Sequence, residues 1–254
     1  MEDKTFYDYQ KPEEALEAYI KANDNLYDRM KKHSLIIFLR KSLSPIEGKA
    51  VLDVGSGGGI WTKFWLEEGA KVTALDLRKP LIMGNEIWNP QAEFVQGDAT
   101  TAKLGKKFDI IFAKDIIEHV PNDEDFLQNM AKHLKDGGCL FLTTQNSFSL
   151  NYYIEGGYNF LRGNRKWCGW DKTHLRFYNS RNLTSKLRKA GLTPIKCWGT
   201  YYFPYRFLSR LLLRTLVEWK GFYLPELMNL NDKFPFNITG WNIGVLSEKE
   251  SLPD

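Results

Sequence analysis

Cysteine is scarce in this chain of 254 residues, and long apolar runs are missing from it. Its three cysteines, Cys139, Cys168 and Cys197, are odd in number and far apart, which argues against a disulfide framework and against a CxxC zinc site. No run reaches about 18 apolar residues, so no transmembrane helix is expected. The acidic, polar residues 1–10 do not resemble a signal peptide, and the cytoplasm is the default compartment.

The chain also has no large excess of positive or negative charge. Lys plus Arg number 35 and Asp plus Glu number 31, so the net charge is only +4, and no nucleic-acid partner is expected. Hydrophobic residues at 43% and charged residues at 26% are typical of a globular protein that needs neither disulfides nor metal to fold.

Apolar runs alternate with segments of helical period, which predicts an α/β fold with a parallel sheet. Strands are predicted at residues 49–54, 71–76, 92–96, 108–113, 139–144, 193–198 and 241–247. Helices are predicted at 12–30, 32–43, 60–68 and 123–134, and from a Ser180 cap to a point before Gly191. Residues 135–138 predict a turn, and residues 146–178, rich in aromatics and glycine, predict an insertion.

The strongest motif is V-L-D-V-G-S-G-G-G at residues 51–59, a strand that leads through glycines into a helix. A dinucleotide-binding loop would have glycine in the place of Ile60. Asp53, two residues before Gly55, would repel a diphosphate but suits a cation such as the ammonium of a methionine moiety. These features predict S-adenosylmethionine as the cofactor.

Two further acids follow predicted strands. Asp76 lies 21 residues after Gly55, where a carboxylate would accept both ribose hydroxyls, a spacing that by itself also fits NAD. Asp98, in Gln96-Gly97-Asp98-Ala99, could accept from the adenine amine, or it could be an ordinary turn aspartate. Three acids at successive strand ends favour a ligand site, because ligands of open α/β sheets bind at those ends.

With these motifs the chain resembles the class I S-adenosylmethionine-dependent methyltransferases. The resemblance implies a Rossmann-like sheet of seven strands, mostly parallel, in a single domain over residues 1–254. It implies a helical lid at 1–46, a cofactor-binding half at 47–146, and insertions over the acceptor site at 147–178 and 200–238. S-adenosylhomocysteine would be the product. The implied cofactor contacts are Asp53, Gly55, Ser56, Gly57, Gly59, Asp76, Leu77, Asp98, Ala99 and Lys114.

Residues 113–121, A-K-D-I-I-E-H-V-P, lack the motif of methyltransferases that act on adenine or glutamine nitrogen. Their E-H-V-P form resembles small-molecule methyltransferases, among them the ubiquinone-biosynthesis O-methyltransferases. That resemblance implies that Asp115, Glu118 and His119 bind a divalent metal such as Mg²⁺, which would hold a catechol. In the alternative the acids cap a helix or pair with lysine, and His119 acts as a simple base.

A second segment, W-D-K-T-H-L-R-F-Y at residues 170–178, resembles the same enzymes through its Thr-His pair. His174 would then be a base or an acceptor ligand, and the alternative is a histidine that anchors the insertion.

Residues 201–219 place Arg206, Arg210 and Arg214 at intervals of four. In a helix they form a basic stripe, which predicts either peripheral membrane contact or a helix that packs on the core with solvated arginines.

The main functional hypothesis is methyl transfer to an oxygen of a small aromatic or prenylated acceptor. The alternatives are a sugar, an amine or a lipid head group as acceptor, an NAD-dependent oxidoreductase, and a cofactor-binding protein without catalysis. The oligomeric state is not predicted.

Overall fold

The computed structural model describes residues 8–165, 167–169, 171–202 and 230–250. The strands are β1 Ala50–Val54, β2 Lys71–Asp76, β3 Glu93–Gln96, β4 Phe108–Lys114, β5 Leu134–Gln145, β6 Leu192–Thr200 and β7 Asn242–Lys249. The helices are α1 Pro12–Ala22, α2 Leu26–Leu43, α3 Ile60–Glu67, α4 Lys79–Trp88, α5 Asp123–His133, α6 Gly157–Leu161, α7 Ser180–Lys189 and α8 Phe236–Thr239. A π-helical turn, Tyr152–Gly156, precedes α6.

The strands form one seven-stranded sheet in the order β3-β2-β1-β4-β5-β7-β6. Strand β7 runs antiparallel to both of its neighbours, and the pairs of β1 with β2 and β4, of β2 with β3, and of β4 with β5 are parallel. The predicted fold class is confirmed. The strand order reverses between β1 and β4, and ligands of open α/β sheets bind outside the carboxyl ends at such a point.

The sheet is buried on both faces. One apolar cluster joins α2 and α3 to the sheet through Leu35, Phe38 and Trp65, and the other joins α5 and α7 through Phe126 and Leu187. Burial of both faces explains why the central strands read as nearly continuous apolar runs rather than as alternating ones.

The predicted helix over residues 12–30 is wrong in its extent. The chain forms two helices there, because Asn25 caps α2 by accepting a hydrogen bond from the Asp28 N–H at 3.0 Å. The start of α7 also differs from the prediction. Asn179 rather than Ser180 is the cap, and it exchanges side-chain and backbone hydrogen bonds with Asn182 at 2.9 and 2.8 Å.

Strand β5 begins earlier than predicted, at Leu134. Its register with β4 shifts from the pair Phe108 and Leu134 to the pair Ile110 and Cys139. The predicted turn at residues 135–138 is therefore an irregularity within the strand.

The insertion after β5 leaves the sheet and returns to the same place, since the Ser147 N–H donates to the Tyr178 carbonyl at 2.6 Å. Its described part carries the π-helical turn and α6, neither of which the sequence predicted. Among the residues that the structure describes, none of the helices has the length and apolarity to cross a bilayer.

Candidate active site

The glycine turn after β1 depends on backbone conformations that favour glycine. Gly55, Gly57 and Gly59 have φ angles of 66°, 54° and 91°. The Gly57 N–H donates to Asp76 Oδ2 at 2.8 Å, so the turn is joined to the end of β2. Ser56 is buried, and its hydroxyl has no hydrogen-bond partner among the described residues.

Helix α1 covers part of this turn with the ring of Tyr19. A Cβ atom on Gly57 would lie 2.6 Å from Tyr19 Cε2, and one on Gly58 would lie 2.5 Å from Tyr19 Cδ1. Side chains at these two positions would therefore collide with the ring. The glycines allow the amino-terminal helix to approach the backbone closely.

Asp53, near the end of β1, is buried against the first turn of α3. Its Oδ2 accepts from the Thr62 hydroxyl at 2.7 Å. Burial raises the pKa of Asp53 to about 7. A cation placed beside this carboxyl would favour its ionised form.

Asp76, at the end of β2, is held by backbone donors on both of its oxygens. The Arg78 N–H donates to Oδ1 at 2.8 Å, and Oδ2 accepts from the Gly57 N–H described above. Burial raises the pKa of Asp76. The next residue, Leu77, is 65% exposed and offers an apolar surface beside the carboxylate.

The ends of β2 and β3 adjoin, because the Gly97 N–H donates to the Asp76 carbonyl at 2.9 Å. Asp98 is exposed, and its Oδ1 accepts from both the N–H and the hydroxyl of Thr100 at 2.8 Å. The turn role that the sequence left open for Asp98 is thus present. Ala99 is half-buried against the core.

Asp115 directly follows β4 and is surrounded by donors. Its Oδ2 lies 2.5 Å from Lys31 Nζ and 2.8 Å from Lys114 Nζ, and Thr143 donates to its Oδ1 at 2.9 Å. Burial alone would raise the pKa of this carboxyl, but the Lys114 and Lys31 ammonium groups hold it well below its usual range. The structure shows the lysine-paired alternative for Asp115.

The two lysines also line a small cavity between the amino-terminal helices and the start of α3, together with Lys32, Tyr19 and Trp61. Lys31 is only 3% exposed, and burial lowers its pKa. Three lysines and one acid, Asp28, line this cavity, so the charge of its lining is mainly cationic, and it lies beside the ring that covers the glycine turn.

Glu118 is fully buried and incompletely hydrogen-bonded. Its Oε2 accepts from the Thr144 hydroxyl at 3.0 Å, whereas Oε1 has no hydrogen-bond partner within the described part of the chain. Burial, and then the charge of Asp115, raise the pKa of Glu118 to about 8. Its carbonyl accepts from the Leu175 N–H at 2.9 Å, which brings the insertion to this turn.

His119 and His174 meet at this point. Their ring centroids are 4.8 Å apart, and together with Glu118 they offer three ligand-type atoms within 4.8 Å of one another. Burial, and then His174, lower the pKa of His119, which favours its neutral form. The structure thus groups Glu118 and His119 with His174 and not with Asp115, the third ligand predicted from the sequence.

Both imidazoles have polar neighbours that the sequence analysis did not assign. His174 Nδ1 lies 2.9 Å from the Cys168 carbonyl, and its Nε2 lies 3.3 Å from Gln145 Nε2. His119 Nδ1 lies 3.0 Å from the Thr173 hydroxyl.

The Thr173 hydroxyl oxygen also lies 2.6 Å from Asp171 Oδ1. Thr173 and Asp171 could have been found in the segment around His174. Nothing in the sequence indicated Lys31.

The predicted basic stripe lies outside the described residues, because the structure describes only 201 and 202 of residues 201–219.

Several known proteins resemble this chain in sequence or in fold. A family model described as "Methyltransferase domain" matches residues 27–196. A ubiquinone biosynthesis O-methyltransferase of Coxiella burnetii is 30% identical over 63% of this chain and 70% of its own length. One from Xanthomonas axonopodis pv. citri is 32% identical over 69% of this chain and 75% of its own length.

Among solved structures, magnesium protoporphyrin IX methyltransferase from Synechocystis, with bound S-adenosylhomocysteine, shares the fold. Its TM-score is 0.61 at 12% identity, over 89% of this chain and 88% of the other. The chain belongs to the methyltransferase-domain family. It is an S-adenosylmethionine-dependent methyltransferase, and the NAD-dependent alternative is set aside.

Proposed function

We propose that the protein transfers a methyl group to an oxygen of a small aromatic acceptor, with His119 as the base. The observation that carries the proposal is the position of the His119 imidazole, just beyond β4 on the carboxyl edge of the sheet and beside a second imidazole. Relatives named O-methyltransferases support oxygen as the acceptor atom.

In the proposed complex the cofactor lies along the ends of β1, β2 and β3. Asp76 accepts from the ribose hydroxyls, and Leu77, Asp98 and Ala99 contact the adenine. The glycine turn, with Gly55, Ser56, Gly57 and Gly59, approaches the methionine moiety. The Asp53 carboxylate stabilises the ammonium group of the methionine moiety. The cationic cavity at Lys31 and Lys114 stabilises the carboxylate of the same moiety.

The proposed chemistry is an in-line displacement. A phenol has a pKa near 10, so its oxygen becomes a good nucleophile only when a base takes the proton. His119 accepts that proton as the oxygen–carbon bond forms and the sulfur–carbon bond breaks, and the bonding electrons return to sulfur as the sulfonium becomes a thioether. A positioned base of this kind contributes roughly 10²–10⁴ in rate.

The residues present do not fit the Mg²⁺ ion that the sequence resemblance implies. One oxygen of Asp115 already faces two ammonium groups, so this carboxylate is neutralised without a metal. The remaining group, Glu118 with His119 and His174, supplies one carboxylate and two imidazoles, whereas Mg²⁺ prefers oxygen ligands. The residues therefore do not fit Mg²⁺, and in the proposed transfer His119 acts as a base rather than as a metal ligand.

The insertion supports an apolar acceptor, including one with a prenyl chain. Its described part exposes Phe148, Leu150, Tyr153, Phe160 and Leu161. A site beside such a surface favours ring and hydrocarbon ligands over sugars.

The test measures transfer of a deuterated methyl group from S-adenosylmethionine to catechol. We expect labelled O-methyl product, a rate about 100-fold lower in His119→Ala, and an unchanged rate in His33→Ala, whose histidine is exposed on α2. Addition of EDTA should not change the rate.

A calorimetric titration with S-adenosylhomocysteine distinguishes loss of cofactor binding from loss of the base. Its affinity should be unchanged in His119→Ala and about tenfold or more weaker in Asp76→Asn. Wild-type turnover in His119→Ala would contradict the assigned base and point to His174. Loss of activity with EDTA that a divalent ion restores would contradict the metal-free mechanism.

A further inference from the structure

We infer that Thr173 and Asp171 are positioning residues that fix the tautomer of His119, so that its Nε2 faces the acceptor with a free lone pair. The inference rests on the proposed role of His119 as the base. It adds to that role two residues which do not touch the reacting atoms themselves.

Counting protons along the chain of contacts gives the tautomer. The Thr173 hydroxyl has one proton, and its oxygen lies 2.6 Å from Asp171 Oδ1 and 3.0 Å from His119 Nδ1. An ionised carboxylate has no proton to donate, so the hydroxyl donates to Asp171. The Thr173 oxygen then accepts, and His119 Nδ1 must carry a proton. In a neutral imidazole this leaves Nε2 unprotonated.

Asp171 holds the threonine in place through a second contact. The Thr173 N–H donates to the same Oδ1 at 2.8 Å, so one carboxylate oxygen receives both donors of Thr173. The hydroxyl rotor is thereby set toward Asp171, and its lone pairs are left for His119. An acceptor at this position selects the Nδ1–H form, and the Thr173 hydroxyl is the side-chain acceptor that His119 Nδ1 contacts.

The contacts of His174 explain why His119 rather than His174 is proposed as the base. Its Nδ1 donates to the Cys168 carbonyl at 2.9 Å, and its Nε2 lies 3.3 Å from the Gln145 amide nitrogen, which is a donor. Both ring nitrogens of His174 are thus engaged. The side-chain partner of His119 among the described residues is the Thr173 hydroxyl, at Nδ1.

The test is nuclear magnetic resonance of the histidine side chains in the full chain. There are only four histidines, so the His119 signals are identified by their loss in His119→Ala. Nitrogen-15 shifts at a pH where the rings are neutral report which nitrogen carries the proton.

Wild type should show the Nδ1–H form. Thr173→Val, which keeps the shape and removes the hydroxyl, should shift His119 toward the Nε2–H form that free histidine prefers in water.

The same variants are assayed with catechol. Thr173→Val should lower kcat about tenfold or more with little change in the KM for S-adenosylmethionine, and Thr173→Ser should restore both the tautomer and most of kcat. Thr184→Val, the same change at a half-buried position on α7, is the matched control.

An Nδ1–H tautomer that persists in Thr173→Val would overturn the inference, as would a Thr173→Ser variant no better than valine. If the tautomer shifts as expected but no variant, wild type included, methylates a phenol, the positioning chain stands and the proposed function fails.

Discussion

Carboxyl groups in this protein differ in charge because their surroundings differ. Asp115 stays ionised between two lysines, whereas burial raises the pKa of Asp53 to about 7 and of Glu118 to about 8. Asp76 is half-buried, and burial raises its pKa although backbone N–H groups contact both of its oxygens. Carboxyl side chains are therefore anions at some positions of the fold and protonated more readily at others.

Asp53→Asn should flatten the dependence of stability on pH. The folded pKa of about 7 lies above the ordinary value of 3.8, so the folded chain keeps a proton that the unfolded chain releases. That contribution to stability is complete below the ordinary value and is lost as the pH rises through the folded pKa. Asparagine has no such proton.

Urea unfolding between about pH 5 and pH 7 measures this effect. The free energy of unfolding of the variant should rise relative to wild type by up to about 1.4 kcal/mol per pH unit. A difference that stays constant with pH would show that Asp53 is not a buried carboxyl with a raised pKa.

Residue positions were predictable where a local pattern marks them. Asp53, Asp76 and the glycines follow strands whose apolar runs are visible in the sequence, and the structure joins them through the Gly57 N–H. The partner of Asp115 was not predictable. Lys31 lies 84 positions away, and only the packing of α2 on the sheet brings its ammonium to this carboxylate.

Helix α2 is attached to the sheet by apolar packing, by the buried Lys31 ammonium and by hydrogen bonds such as that from Trp198 Nε1 to the Ser34 hydroxyl at 3.0 Å. Leu35 and Phe38 enter the core, and Lys31 reaches Asp115 at the carboxyl end of β4. The helix carries a wall of the cationic cavity. Its placement therefore affects both stability and the shape of this cavity.

Lys31→Met should lower the free energy of unfolding by about 2 kcal/mol. Methionine keeps the length of the side chain but removes the ion pair, and Lys114 still neutralises Asp115, which limits the loss. Lys32→Met, the same change at the neighbouring exposed position, should cost less than about 0.5 kcal/mol. Equal losses in urea unfolding would show that the buried ion pair does not stabilise α2.

Elements were predictable to the extent that periodicity determined them. The strands have apolar runs, but the break between α1 and α2 depends on a single cap, Asn25, inside a stretch of continuous helical character. Residues 147–178 have no period because their aromatic side chains pack on one another and on the site. Tyr152, Trp167 and Phe177, for instance, have ring centroids 4.9 to 5.9 Å apart.

Across the whole molecule, the strand order places all these groups on one edge. The ends of β1, β2 and β3 carry the acids and the glycine turn, and the ends of β4 and β5 carry Lys114, Glu118, His119 and Gln145. In the proposed complex, the reversal of strand order between β1 and β4 separates the cofactor from the acceptor.

The central claim is that the protein methylates an aromatic hydroxyl oxygen. Its most direct test is product analysis of an extract of small metabolites incubated with the protein and deuterated-methyl S-adenosylmethionine. Mass spectrometry with fragmentation locates the labelled methyl group. We predict label on an aromatic hydroxyl oxygen of a small molecule, absent without protein and strongly reduced with His119→Ala. Label on a nitrogen, a sugar hydroxyl or a lipid head group, or no labelled product at all, would contradict the account.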